Sequence, residues 1–141
     1  GQWYFYRMGQ VAPLVTQGIE AIAESDKPVV FHCAAGKDRT GIFAASLLSA
    51  LDTDKEHILD DFSHTQTNMP KVLNRLMKLQ PMFSEEAIMR AGALLRADRE
   101  AMDRFLSLAE FEHGGLKNML LDSGLSEKTI QKLKTSQIQN Q

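Results

Sequence analysis

"KPVVFHCAAGKDRTG", residues 27–41, decides the reading of this chain. Its opening, KPVVFH at 27–32, is a short β-branched apolar run entered through Asp26-Lys27-Pro28, the pattern of a central strand buried on both faces. The chain's single cysteine, Cys33, closes that run; five residues later comes Arg39, then the largely apolar TGIFAASLLSAL at 40–51, which reads as a helix. A strand, a tight loop and a helix start in that order suit an anion. Backbone N–H groups of residues 34 to 39 converge on one point, and the helix N-terminus adds the positive end of its dipole. Gly36 relieves the turn, Gly41 lets the helix begin close to the loop, and Arg39 offers a planar fork for two phosphate oxygens.

The same field bears on the cysteine. A thiol of pKa ~8.5 falls to ~3.5–7.5 at a helix N-terminus beside cations. A thiolate beneath a bound phosphate is placed for in-line attack on phosphorus, giving a cysteinyl-phosphate that water hydrolyses. Thr40 is the candidate donor to the sulfur, and His32 the candidate brace of the loop through its imidazole nitrogens. No metal or other cofactor is called for. A buried structural cysteine is the competing reading, but it leaves the glycines and the gap to Arg39 without a purpose. A Walker loop is excluded, because Gly36-Lys37 is followed by Asp38 and lacks the preceding glycine spacing. Asp38 has two readings. Repulsion by the phosphate favours its protonated form, which would supply the leaving-group proton; alternatively it points outward and braces Lys37 or a neighbouring amide. Lys37 itself is expected at the pocket rim.

With these residues in view, HCAAGKDRTG (32–41) resembles the His-Cys-x5-Arg-Thr signature of the cysteine-dependent protein tyrosine phosphatase superfamily, in the Lys-Asp form of its bacterial members. Two further stretches resemble that family. DDFSHTQ (60–66) is similar to an Asp-Tyr-x-x-Ser/Thr-Asn element, with Phe62 for Tyr and Gln66 for Asn, and GGLKNMLLDSGLSEKTIQKLK (114–134) is similar to its C-terminal ending, with Met119 in place of an aromatic residue. The resemblance implies an α/β phosphatase with Cys33 as nucleophile and Arg39 as phosphate clamp. Asp38 is a possible acid, and Ala34, Ala35, Gly36, Lys37, Asp38, Arg39 and Thr40 form the substrate cradle. It also implies phosphotyrosine-type or phosphoinositide substrates. Members are considerably longer on the N-terminal side, so residues 1–141 are expected to be the C-terminal, loop-bearing part of one phosphatase domain, lacking most of its sheet. A second chain or the N-terminal part would then complete the sheet. The alternative is a phosphate- or phosphoinositide-binding module without turnover.

Beyond the loop the chain reads as mostly helical. QWYFYRMG (2–9) has the aromatic density of a strand or buried edge, or else caps the following helix; Val11, Leu14, Val15, Ile19 and Ile22 fall at helical spacing over 11–25. Thr53 and Glu56 are spaced as a capping box for a helix to about 67. Segments 70–79 and 85–95 read as helices, the latter capped by Ser84, and 97–114 is amphipathic. Near the end Gly124 stops one helix, Ser126 caps the next, and Leu125 with Ile130 forms a hydrophobic staple. Residues 69–83 either pack over the active site or form a plain core helix. His57, Asp61 and His64 share a helical face, which is weak as a metal site without a partner segment; Asp61 is expected instead to contact the phosphate loop or a helix end.

Composition sets the bounds. A length of 141 residues, 43% apolar and 24% charged, fits one globular domain. Sixteen basic against 18 acidic side chains leave a net charge of −2, which gives no overall pull toward nucleic acid, so any affinity for anions is local. One cysteine excludes an internal disulfide and a multi-cysteine zinc site. The apolar runs are too short for a membrane span, and both cytoplasmic and secreted locations stay open.

Overall fold

A computed structural model describes residues 1–79, 86 and 92–138 of the chain. Six α-helices account for most of them: α1 (Gln2–Glu24), α2 (Asp38–Ala50), α3 (Lys55–Leu79), α4 (Arg99–His113), α5 (Leu116–Asp122) and α6 (Glu127–Ile138), with a 3-10 turn at Gly92–Leu95 before α4.

The α/β expectation is corrected here: no strand occurs among the described residues, and every regular element among them is a helix. The stretch read as a central strand is irregular from residue 28 to 33, and its side chains are not buried: Val30 is 86% exposed, with Val29 and Phe31 also open. The reason is pairing. Apolar, β-branched composition only makes a segment suitable for a sheet, and an extended backbone becomes a strand when another strand accepts its N–H and C=O groups. Among the described residues no such neighbour exists. Phe31 instead tilts onto Phe43 of α2, ring centroids 4.6 Å apart.

The aromatic segment at 2–9 is not a strand either. It is the first third of α1, whose buried face runs Tyr4, Met8, Ala12, Val15, Thr16, Ile19 and Ala23, one contact per turn. α1 lies along α4 and touches α2, α5 and α6, while α3 and α5 flank α2 and α4. The core sits where these meet, around the fully buried Met8, Ile19, Met102 and Phe105. Tyr4 stands edge-on to Phe62 of α3 and Phe105 of α4, each ring centroid 6.1 Å away.

Other boundaries moved by small amounts. α2 begins at Asp38, and α3 runs straight through Pro70 to Leu79 where two helices were expected. The tail follows expectation: Gly124 is left-handed (φ 103°), Ser126 Oγ accepts the Thr129 N–H at 3.0 Å, and Leu125 and Ile130 are both buried. The expected helix at 85–95 with its Ser84 cap falls largely outside the described residues, as does the end of the 69–83 segment.

One close approach fixes the position of α2. A Cβ on Gly41 would fall 2.7 Å from Cε2 of Phe62, so α2 meets α3 here only because the residue after Thr40 has no side chain.

Candidate active site

Cys33 ends the irregular segment, residues 34–37 bend, and Asp38 opens α2. Gly36 takes the left-handed conformation at φ 67°, which a glycine adopts without strain, and this turns the loop back onto the helix start. The sulfur is thereby brought among donors. Burial of the thiol opposes ionisation. It is outweighed by hydrogen bonds from the Thr40 hydroxyl, the Thr40 amide and the amides of Gly36 and Ala35, which draw Cys33 down from 9.0 to about 7. Thr40 Oγ1 is itself buried and has no hydrogen-bond partner of ordinary geometry among the described residues. An ionised sulfur is the acceptor its position offers, which is why the hydroxyl counts toward the thiolate and not toward the neutral thiol. His32 is exposed, with its Nδ1 3.2 Å from the carbonyl oxygen of its neighbour Cys33.

The charged residues divide. Arg39 is exposed and makes no hydrogen bond or ion pair among the described residues. Its side chain lines a cleft of about 410 Å³ with Arg7, Val11, Leu14, Val15, Ile42 and Phe43. Lys37, expected at the rim, is turned inward and only 4% exposed. Its Nζ donates to Asp38 Oδ1 at 2.7 Å and to the Arg96 carbonyl at 3.4 Å. Asp38 Oδ1 also accepts the Tyr4 hydroxyl at 2.8 Å. Asp38 thus braces Lys37 through Oδ1, while Oδ2 takes no hydrogen bond among the described residues. Ala34 is exposed, and Ala35 and Gly36 are half-buried.

Sequence reasoning missed the outer supports. Tyr4 was lost in a generic aromatic segment, although its spacing to Met8, Ala12 and Val15 places it on the buried face of α1. Gln66, noted only as a substitute for Asn, accepts the Ala97 N–H through Oε1 at 2.7 Å, fixing the residue beside the carbonyl that Lys37 reaches. Asp61 lines a small cavity of about 60 Å³ with Gly36, Thr40 and Phe62, directly behind the loop. His57 lies beside Asp54, Nδ1 to Oδ2 3.9 Å, and His64 Nδ1 is 2.9 Å from the Asp60 carbonyl. Among the described residues no three side chains capable of holding a metal lie together, and no described helix is long and apolar enough to cross a membrane.

A cysteine of lowered pKa, facing backbone amides in a loop that opens a helix, is the arrangement that a thiolate phosphate loop requires. A family model described as "Tyrosine phosphatase family" matches residues 5–139. The chain belongs to the tyrosine phosphatase family. It is 28% identical over 128 residues to the "Triple specificity protein phosphatase PtpB" of Mycobacterium tuberculosis, covering 82% of this chain and 46% of that one. It is 31% identical over 147 residues to a "Tyrosine-protein phosphatase" of Nostoc commune, covering 95% and 47%. The chain thus spans about half the length of the curated relatives it matches.

Proposed function

We propose that this chain carries the catalytic loop of a phosphatase acting on phosphotyrosine-type monoesters. The observation that carries the reading is Cys33, its thiol drawn to about 7 by donors from Thr40, Gly36 and Ala35 at the start of α2. At neutral pH a large fraction of such a cysteine is thiolate, and the same amides that face the sulfur face a phosphate placed above it. Sγ attacks phosphorus, an S–P bond forms, the P–O bond to the substrate breaks, and the departing oxygen takes a proton. Water then attacks the cysteinyl-phosphate, the S–P bond breaks, inorganic phosphate leaves, and the Thr40 hydroxyl stabilises the returning thiolate. Arg39, with no competing partner among the described residues, swings its guanidinium onto two phosphate oxygens. Asp38 is the acid of the first step through Oδ2, since Oδ1 is occupied by Tyr4 and Lys37.

The partner is accordingly a phosphorylated protein. The "triple specificity" in one relative's name suggests phosphoserine, phosphothreonine or phosphoinositide substrates as well, although the inward Lys37 does not lend its charge to a second phosphate here. Because the relatives are about twice as long, a further segment or second chain seated against exposed residues 29–31 belongs to the same proposal.

The test is hydrolysis of p-nitrophenyl phosphate and phenyl phosphate by wild type, Cys33→Ser and Asp38→Asn, with chelator present. Cys33→Ser is expected to fall to background on both. Asp38→Asn is expected to lose far more on phenyl phosphate, whose leaving group needs a proton, than on p-nitrophenyl phosphate, whose leaving group does not. Activity retained in Cys33→Ser would overturn the covalent route, and phosphate binding without turnover in wild type would leave a binding module in its place.

A further inference from the structure

The loop is held partly by residues far from it in sequence. Lys37 and Asp38 sit where the phosphate-facing amides end and α2 begins, and both are gripped from outside the loop. Tyr4 comes from the first turn of α1, 34 residues earlier, and puts its hydroxyl 2.8 Å from Asp38 Oδ1. Arg96, 59 residues after Lys37, supplies its carbonyl to Nζ at 3.4 Å, and its neighbour Ala97 is fixed in turn by Gln66. Tyr4 is the only one of these supports whose ring is locked into the core. It is 6% exposed and stands edge-on to Phe62 and Phe105. Its hydroxyl is pushed well above the usual phenol range, first by burial and then by the bond to Asp38, so it remains a donor at every working pH.

We propose that Tyr4 is a positioning residue for the phosphate cradle: its hydroxyl holds Asp38, Asp38 holds Lys37, and this chain sets the spread of the amides that receive a phosphate. The proposal rests on the phosphatase reading above, and it assigns part of the site to the first turn of α1. Tyr4 touches no reacting atom. Its loss acts on affinity for the anion, and not on the ionisation of Cys33, which depends on donors from Thr40, Gly36 and Ala35.

The experiment reads phosphate binding without requiring turnover. Cys33 of the 141-residue chain is alkylated with iodoacetamide in rising concentrations of inorganic phosphate, and protection gives the dissociation constant. Wild type, Tyr4→Phe, Asp38→Ala and the double variant are compared, with the alkylation rate of each followed against pH. Tyr4→Phe keeps the buried ring and removes only the hydroxyl. It is expected to bind phosphate about tenfold more weakly, the usual cost of losing a hydrogen bond to a charged group, while its alkylation profile stays centred near 7. Asp38→Ala is expected to weaken binding as well, and adding Tyr4→Phe to it is expected to cost nothing further. Equal protection in wild type and Tyr4→Phe would overturn this proposal alone. So would a Tyr4→Phe penalty of the same size with and without Asp38, since that would mean a general packing effect. No protection of wild type at any phosphate concentration would overturn the phosphatase reading and this proposal with it.

Discussion

At the scale of single residues the site turns on which hydroxyls have partners. Thr40 Oγ1 is buried and, among the described residues, matched only by the sulfur, so Thr40→Val is expected to move the Cys33 titration up from about 7 toward its ordinary 9.0. Alkylation rate against pH measures this directly. The same depressed pKa links folding to pH. Because the folded thiol ionises at lower pH than the unfolded one, its contribution to stability is complete above pH 9 and is lost as pH falls through 7. Wild type should therefore gain more in melting temperature between pH 6 and 9.5 than Cys33→Ser does. Thr16 offers the converse case. Its hydroxyl is buried in α1 with no hydrogen-bond partner among the described residues, and Thr16→Val is expected to stabilise the protein by about 1 kcal/mol in a denaturant titration. The catalytic signature was legible in the sequence at this scale, because the spacing of Cys33, Gly36, Arg39 and Thr40 is local and chemical. The inward turn of Lys37 was not, and Asp38 carried two readings, since whether a lysine faces solvent or a carbonyl 59 residues away depends on contacts that no short window contains.

At the scale of elements, the junction of α2 with α3 is the tightest point near the site. Gly41→Ala would press a methyl into the Phe62 ring, with 2.7 Å and 2.9 Å to its nearest carbons. Phe62 is buried and has little room to yield, so the expected cost is about 1–3 kcal/mol, read as a lower denaturation midpoint, together with weakened phosphate binding as the start of α2 is displaced. The helices themselves were largely legible: helical spacing and amphipathic patterning found most of them, and the Gly124, Ser126, Leu125 and Ile130 signals marked the tail correctly. Two elements were misread for opposite reasons. Residues 2–9 were given a strand or an edge as well as a helix start, because aromatic richness favours sheets in general, while the period that makes them helical appears only when they are joined to residues 10–24. Residues 27–32 were read as a strand because composition reports what a segment could pair with, and not whether a pairing partner is there.

At the scale of the whole molecule, the helices enclose one core, and the loop is mounted on its outside. Residues 29–31 carry three large apolar side chains into solvent in a single run, a patch of the sort that drives association. Val30→Asp is expected to leave the melting temperature within error, since Val30 is 86% exposed, and to reduce self-association at high concentration, measured by sedimentation velocity. The supports described for Lys37 and Asp38 also bear on the order of folding. A phosphate cradle closed by contacts 34 residues back and 59 residues ahead must wait for two long loops to close, and such closures come late and cost entropy that only the finished core repays. A synthetic peptide of residues 29–41 would contain the whole signature, with every donor that faces the sulfur, and is still expected to bind phosphate weakly, because the contacts that hold Lys37 and Asp38 come from α1 and from the segment before α4.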